Sequence, residues 1–170
     1  MDQGFEALYE AYFPRIYAFL LKLTEDRDLA EELTQETFYQ AFVSFHRFRG
    51  ESDVFTWLAS IGKHTYYRHL RRSRHQTESL DAGALAEMFE VEATEHPAET
   101  VERRLQAEAA RHALEELPQK YRDVFILRVY AEMSYAQIGQ ALQISENSAR
   151  VVYYRAKKML MEAMKDGNDV

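Results

Sequence analysis

The chain has 170 residues, a formal net charge of -7 and no cysteine, and 46% of its residues are hydrophobic. The hydrophobic content excludes a disordered chain, and the absence of cysteine excludes disulfides, thiol catalysis and zinc-thiolate sites. Because the chain has only six glycines and three prolines, few loops are expected, and the composition favours an all-α protein of one domain or two small ones.

The N-terminal stretch MDQGFEALYE is acidic and amphipathic, and no stretch approaches the roughly 18 consecutive apolar residues that a membrane span requires. We therefore expect neither export nor membrane insertion. The lack of cysteine agrees with a reducing compartment, so a cytoplasmic location is predicted.

Apolar residues recur at helical spacing through the N-terminal half. They predict a helix over residues 4–23, in which Pro14 either kinks one helix or begins a second one. A further helix is expected to begin at Asp28, with one apolar side and an opposite side rich in carboxylates. After a polar, glycine-containing loop at 48–53, another helix is predicted over residues 54–72.

Charge is segregated along the chain. Residues 62–75 include five Lys or Arg and no acid, whereas residues 76–99 include seven acids and no Lys or Arg. The acidic block also lacks a sustained helical period. The sequence therefore predicts an all-α protein with two small helical domains, at 1–75 and 100–170, joined by an acidic flexible linker at 76–99.

The C-terminal part contains the pattern of a helix-turn-helix. Ser134 stands three residues before Gln137, which is the spacing of a capping box, and Ser145 can cap the next helix. Gly139 is explained by close packing, because a glycine in an open helix costs about 1 kcal/mol. Gln143 occupies the turn position that favours a positive φ, at an expected cost of ~1 kcal/mol.

An ordinary helical hairpin would show the same periodicity. The last helix, however, carries four basic residues and no acid on its outward side: Arg150, Arg155, Lys157 and Lys158. In a protein that is otherwise acidic, such a stripe is typical of a surface that contacts nucleic-acid phosphates.

Four segments occur in a characteristic order: RDLAEELTQETFYQAF, FRGESDVFTWLASIGKHTYYRHLRR, LEELPQKYRDVFILRVYAEMSYAQIGQAL and ISENSARVVYYRAKK. With this order and spacing, the chain resembles the extracytoplasmic-function (group IV) sigma factors, the small promoter-recognition subunits of bacterial RNA polymerase that keep only regions 2 and 4. The resemblance covers residues 5–164. It implies region 2 at 1–75, a linker at 76–99, and region 4 at 100–170, ending in a recognition helix.

The resemblance implies that the second helix docks on the clamp helices of the polymerase β′ subunit. The family-like positions are Ala30, Glu31, Glu32, Leu33, Gln35, Glu36 and Phe38. Glu32 stands where the family more often has Asp. A carboxylate-rich face suits a basic partner, and the alternative is an acidic face that only contacts solvent.

The resemblance also implies a site that melts and reads the -10 element. Its base-holding loop would contain Phe48, Arg49, Gly50 and Ser52, and its helix would contribute Lys63, His64, Tyr67, Arg68, Arg71 and Arg72. Basic and aromatic groups together suit melted DNA, because bases stack on rings while cations follow the backbone. A solvated basic face is the alternative, and Trp57 is expected to be a core residue.

The last helix is expected to enter the major groove of the -35 element. Asn147, Ser148, Arg150, Val151 and Tyr154 would lie nearest the base edges, and Arg155, Lys157 and Lys158 nearer the phosphates. Many family members carry a polar-basic pair where this chain has Val151 and Val152. We therefore expect Arg150 and Ser148 to carry more of the polar readout.

The implied partners are bacterial core RNA polymerase (the β′ clamp helices and the β flap), promoter DNA and an anti-sigma factor. The protein is expected to be a monomer outside these complexes, to bind DNA weakly on its own because of its charge of -7, and to need no cofactor or metal. The acidic linker either follows a positively charged polymerase channel or is simply a disordered tether.

Two other classes of protein fit the sequence less well. A stand-alone helix-turn-helix regulator would bind duplex DNA tightly without polymerase, usually as a dimer, but that class does not explain the second basic and aromatic block at residues 63–72. An enzyme is disfavoured, because the six histidines lack metal-ligand spacing and no glycine-rich phosphate loop is present. No catalytic residue is predicted.

Overall fold

A computed structural model describes residues 3–50, 52–79 and 97–168 of the chain. Within these ranges all regular structure is helical, as the sequence predicts. The helices are α1 Gln3–Thr24, α2 Arg27–Ser44, α3 Val54–Ser79, α4 Pro97–Glu116, α5 Gln119–Val129, α6 Tyr135–Leu142 and α7 Glu146–Asn168, with a 3-10 turn at Phe45–Arg47.

The helices α1 to α3 share an apolar core with buried residues such as Ile16, Leu20 and Leu58. Pro14 lies inside a single continuous α1, so the alternative of two helices is wrong. Helix α2 begins one residue before the predicted start, because the carboxylate of Asp26 accepts a hydrogen bond from the Leu29 amide at 3.1 Å.

The helices α4 to α7 pack around buried residues that include Val124, Leu127, Met133 and Ile138. Pro118 is the N-cap of α5, as expected of a proline at a helix start. The helices α6 and α7 form the predicted helix-turn-helix.

Three local details of that motif confirm the sequence analysis. The capping box is complete, since Ser134 and Gln137 each accept a hydrogen bond from the other's backbone amide. Gln143 has a φ of 58° in the left-handed region. Gly139 is buried against the backbone of the turn, where it leaves no space for a Cβ.

The predicted linker at 76–99 only partly matches the described residues. Helix α3 extends to Ser79, beyond its predicted end, and α4 begins at Pro97, so both helices enter the range assigned to the linker. Residues 80–96, the rest of that prediction, lie outside the described residues.

The two groups of helices contact each other directly. Polar contacts join Lys22 to Glu132 at 2.7 Å, Glu25 to Arg111 at 2.8 Å, Asp53 to Gln137 at 3.1 Å and Arg74 to Glu115 at 3.1 Å. A more buried contact joins α3 to α5 through Asp123, which accepts a hydrogen bond from Tyr67. This packing turns part of α3 toward α5.

Candidate nucleic-acid interface

Helix α7 has one buried side and one exposed side. Ala149, Val152, Ala156 and Leu160 recur every three or four residues and face the core. All eight side chains predicted for the -35 element are exposed: Asn147, Ser148, Arg150, Val151, Tyr154, Arg155, Lys157 and Lys158. The structure thus brings the whole predicted set to the solvent side of one helix.

Lys157 lies at the edge of this surface. It borders an apolar groove between α4, α5 and α7, together with Phe125, Tyr153 and Met161. The other seven side chains do not line that groove. Lys157 therefore stands between a polar face and an apolar one.

The first turn of α7 is fixed by two serines. The Ser145 hydroxyl accepts a hydrogen bond from the Ser148 amide at 3.0 Å and donates one to the Ser148 hydroxyl at 2.9 Å. This cap satisfies a free amide of the helix start. It also leaves the hydroxyl proton of Ser148 free to donate outward.

Arg150 is oriented by two neighbours. Its guanidinium lies 3.6 Å from the Glu146 carboxylate and 5.1 Å from the centre of the Tyr135 ring. The guanidinium of Arg128 lies 4.2 Å from the same ring centre and donates a hydrogen bond to the Met133 carbonyl at 2.9 Å. Tyr135 thus connects the start of α6 to the exposed face of α7.

The loop before α3 forms an open cavity. Phe48 and Trp57 stack with their ring centres 4.6 Å apart, and Gly50 has a φ of +73°. The cavity has a volume of about 360 Å³ and is lined by Arg47, Phe48, Arg49, Ser52 and Trp57. Three of the four predicted loop residues therefore meet around one cavity of aromatic and basic character.

The expectation that Trp57 is a core residue is only half right. Its ring packs against the core, but the residue is half-buried and also lines the cavity beside Phe48. Sequence reasoning missed this second face. The sequence signal that could have revealed it is the position of Trp57, an aromatic residue one or two helical turns after a glycine-containing loop.

Helix α3 divides the residues predicted for the -10 element. His64, Arg71 and Arg72 are exposed and Arg68 is half-buried, whereas Lys63 is 2% exposed and Tyr67 is 7% exposed. Lys63 and Tyr67 are four residues apart, so they share the side of the helix that faces α5, while the other four are rotated toward solvent. A DNA-binding role for all six requires them to be exposed, and in this arrangement Lys63 and Tyr67 are not, because α5 covers them.

The environment of α3 alters several proton affinities. Burial lowers the pKa of Lys63 despite the opposing charge of Asp123. Burial and the hydrogen bond to Asp123 raise the pKa of Tyr67, and burial raises the pKa of Tyr66 to about 12. His64 is exposed as a residue, but partial desolvation of its ring and the charge of Lys63 lower its pKa.

The residues predicted to bind core polymerase also divide between surface and core. Glu31, Glu32 and Gln35 are exposed and Glu36 is half-buried, but Ala30, Leu33 and Phe38 are buried. The buried three can only hold α2 in place. Large exposed side chains that sequence reasoning did not select lie on the same helix: Tyr39, Phe42 and Val43 are 61%, 49% and 52% exposed.

A groove of about 560 Å³ joins this acidic face to α3. Glu32, Glu36 and Tyr39 line one wall, and Arg68, His69 and Arg72 line the other. The acidic surface of α2 and the basic surface of α3 are therefore adjacent.

In the part of the chain that the structure describes, no group of three or more His, Asp or Glu residues could hold a metal ion. Over the same residues, every helix is too short or too polar to cross a membrane.

Comparison with protein families identifies both groups of helices. Residues 8–76 match the family "Sigma-70 region 2", and residues 107–160 match "Sigma-70, region 4". Among characterised relatives, the ECF RNA polymerase sigma factor SigM of Bacillus subtilis (strain 168) is 30% identical over 155 residues, which are 91% of each chain. The chain belongs to the extracytoplasmic-function sigma factors.

A sigma factor is a non-enzymatic RNA polymerase subunit that binds core polymerase and promoter DNA and directs transcription initiation, and this is the function of the chain. Below, region 2 denotes α1 to α3 and region 4 denotes α4 to α7. A second relative, the RNA polymerase sigma factor YlaC of the same Bacillus strain, is 29% identical over 160 residues, covering 94% of this chain and 91% of YlaC.

The fold of this sigma factor agrees with a solved structure of the family. The sigma factor RpoE of Bartonella quintana, in complex with the anti-sigma factor NepR, matches with a TM-score of 0.59 and 22% identity, over 96% of this chain and 98% of RpoE. At this identity, the match supports the fold alone.

Proposed function

We propose that this sigma factor uses three separate surfaces on the promoter and on core polymerase. The exposed side of α7 reads the -35 element, the cavity lined by Phe48 and Trp57 holds a base of the melted -10 element, and the acidic side of α2 docks on the β′ clamp helices. Region 4 also contacts the β flap.

The observation that carries the proposal is the exposed side of α7. Eight side chains of mixed polar, basic and aromatic character face solvent, opposite a buried stripe of Ala149, Val152 and Ala156. Arg150 is held by Tyr135, so its guanidinium has a defined direction from which it can donate two hydrogen bonds to a guanine. A helix of this kind fits the major groove.

The Phe48 and Trp57 cavity supports the -10 assignment. An unpaired base can stack against an aromatic ring, which contributes about 1–3 kcal/mol per base. Arg47 and Arg49 border the same cavity and can neutralise the adjoining phosphates. Arg71 and Arg72 extend this positive surface along α3, and the exposed His64 adds an imidazole whose lowered pKa leaves it largely neutral near pH 7.

The acidic surface of α2 supports the polymerase assignment. Glu31, Glu32 and Gln35 are exposed next to the uncovered rings of Tyr39 and Phe42. Apolar anchor residues surrounded by charged residues are typical of protein–protein interfaces. The protein is proposed to act in the cytoplasm as a monomer outside its complexes, because core polymerase is its partner.

An anti-sigma factor is a further proposed partner. The related RpoE was solved with NepR, and a second solved relative, CnrH, with the cytosolic domain of CnrY, matches with a TM-score of 0.60 and 18% identity, over 96% of this chain and 89% of CnrH. Such a partner would cover the surfaces that bind polymerase or promoter.

Run-off transcription with bacterial core polymerase on a pool of genomic promoter fragments tests the proposal. Promoter-specific transcripts that depend on the protein are expected, and their start sites define both elements. Arg150→Ala should relax the -35 preference, whereas Lys120→Ala, which removes an exposed charge on α5, should not. Tight duplex binding by the free protein, with no transcript and no core binding, would instead favour the stand-alone regulator.

A further inference from the structure

The contact between regions 2 and 4 centres on the carboxylate of Asp123 in α5. Oδ1 accepts a hydrogen bond from the Tyr67 hydroxyl at 2.5 Å, and Oδ2 lies 3.4 Å from Nζ of Lys63. The Lys63 side chain is 2% exposed and the Asp123 side chain is 10% exposed. Two groups of region 2 therefore end on one buried carboxylate of region 4.

A carboxylate and a phosphate bind the same hydrogen-bond donors. Both are oxyanions that accept hydrogen bonds from ammonium and hydroxyl groups. The family resemblance implies that Lys63 and Tyr67 contact the -10 element, yet neither can reach a DNA phosphate while it is held by Asp123. The closed arrangement and DNA binding through these two side chains are mutually exclusive.

We propose that Asp123 acts as an internal substitute for a DNA phosphate: in the free sigma factor it engages Lys63 and Tyr67 and closes region 4 against region 2. Core polymerase, by separating the two regions, releases both side chains for the promoter. This proposal rests on the -10 assignment made above, and it adds a mechanism that prevents Lys63 and Tyr67 from binding DNA before core polymerase is bound.

The surrounding contacts complete the closure. The Arg122 guanidinium lies 4.5 Å from the centre of the Tyr67 ring, on the same helix as Asp123. Just before α3 begins, Gln137 donates a hydrogen bond to the carboxylate of Asp53 at 3.1 Å. Region 4 thus contacts the residue before α3, the middle of α3 and, through Glu115 and Arg74, the part nearer its C-terminal end.

The ion pairs at the rim do not explain the closure. There are three such pairs: Lys22 with Glu132, Arg111 with Glu25 and Arg74 with Glu115. In each of them at least one side chain is more than half exposed, so water and salt screen them. The buried carboxylate is different, because removing it would leave the ammonium of Lys63 without a counter-charge in a closed interface. The Asp123 contact is therefore the one on which closure depends.

The same contact is suited to release. Desolvation of a buried ion pair offsets much of its attraction, and burial lowers the pKa of Lys63 even with Asp123 beside it. Nε of Arg122 is also buried without a hydrogen-bond partner among the described residues. A well-defined but costly interface can be opened by a partner that offers a larger surface.

The test uses the full-length chain. Because the protein has no cysteine, single cysteines at Ala18 in α1 and Glu162 in α7, both exposed, can carry a fluorophore pair that reports the distance between the regions. Asp123→Ala is compared with Glu116→Ala, which removes one exposed acid from the same region and so matches the change in charge.

The first readouts are energy transfer and the affinity of the free protein for a forked promoter fragment with a single-stranded -10 segment. Asp123→Ala should lower the transfer efficiency and strengthen DNA binding about tenfold, the gain expected if the open form is about a tenth of the free protein. Glu116→Ala should change neither. If Asp123→Ala leaves distance and affinity equal to those of Glu116→Ala, the proposal is overturned.

Two further measurements keep the outcomes separate. If Asp123→Ala does not fold, the variant Tyr67→Phe, which loses only the hydroxyl, is measured by energy transfer alone. A longer distance between the labels in regions 2 and 4 supports closure by Asp123, and an unchanged distance refutes it. Run-off transcription by the wild type tests the function proposed above. If the wild type transcribes normally but Asp123→Ala changes neither energy transfer nor DNA affinity, only the closure is overturned. If the wild type gives no promoter-specific transcripts, the proposed function is overturned.

Discussion

The backbone of Ile144, in the turn of the helix-turn-helix, packs directly against Gly139. The Ile144 amide donates a hydrogen bond to the Gly139 carbonyl at 3.0 Å, and a Cβ on residue 139 would lie 2.7 Å from the Ile144 carbonyl oxygen. Because that oxygen belongs to the backbone, it cannot rotate away. The position of α7 relative to α6 therefore depends on the missing side chain.

Gly139→Ala should destabilise region 4. Alanine usually stabilises a helix by about 1 kcal/mol over glycine, but here the clash must move the turn, and a net loss of about 1–3 kcal/mol is expected. Urea denaturation followed by circular dichroism measures it. The matched control is Gly62→Ala in α3, where the nearest atom would be 3.5 Å away in the Phe19 ring, so a gain of up to about 1 kcal/mol is expected. Equal effects at both positions would contradict the steric account.

Gln143→Gly should stabilise the same motif. Gln143 has a φ of 58° and a ψ of 46°, a conformation that costs an L-residue roughly 1–2 kcal/mol. Glycine removes that cost but loses more backbone entropy, so a net gain of about 0.5–1 kcal/mol is expected in the free energy of unfolding. Gln140→Gly, at an exposed position inside α6, should instead lose about 1 kcal/mol. A loss at residue 143 as well would mean that its side chain matters more than its φ.

The helix-turn-helix could be predicted from the sequence because its determinants are local. Ser134 and Gln137 cap α6, and the spacing of Ala149 and Val152 gives α7 its buried side. Each of these signals lies within a few residues of the structure that it specifies. The same holds for the two helices on either side of the Phe48 loop.

The outcome for Lys63 and Tyr67 could not be predicted in this way. On the printed sequence both belong to a basic and aromatic helix, and only the packing of α5 brings Asp123 to them. Such a contact depends on how the two groups of helices pack together, and the hydrophobic periodicity of each helix carries no information about that packing. Glu25 and Glu132, which have φ values of 56° and 55°, were also missed, because glutamate is not a residue that signals a left-handed turn.

His64 should make stability depend on pH near neutrality. Partial desolvation of its ring lowers its pKa, as do the charges of Lys63, Arg68 and Arg71, and only Asp123 opposes them. The unfolded chain therefore binds a proton to this residue at a higher pH than the folded chain does. As the pH falls from about 7 through the unfolded pKa of about 6.5 and then the lower folded value, the free energy of unfolding should decrease.

The variant His64→Gln isolates this effect. The stability advantage of the wild type over His64→Gln should shrink as the pH falls from about 7 to about 5, since the variant has no proton to bind there. His46→Gln, at an exposed residue in the turn after α2, serves as the control for losing any histidine. Parallel curves for wild type and His64→Gln over this range would rule out the effect.

Tyr135 should influence promoter selection without touching DNA. Its ring centre lies 5.1 Å from the Arg150 guanidinium and 4.2 Å from that of Arg128, and a cation–π contact of this kind contributes about 0.5–1 kcal/mol at an exposed site. Tyr135→Leu removes the ring and should let Arg150 sample other rotamers. The preference between promoters that differ at the base pair that Arg150 is proposed to read should then fall about 2- to 5-fold, the same energy expressed as a ratio.

Run-off transcription on a matched pair of -35 promoters measures this preference as a ratio of transcript yields. Tyr135→Phe keeps the ring and should retain the wild-type ratio, which separates orientation by the ring from any role of the hydroxyl. A general loss of stability would lower both yields together and leave the ratio unchanged. If the ratio for Tyr135→Leu equals that for Tyr135→Phe, the ring does not position Arg150, and its readout is set by Glu146, which lies 3.6 Å away on α7.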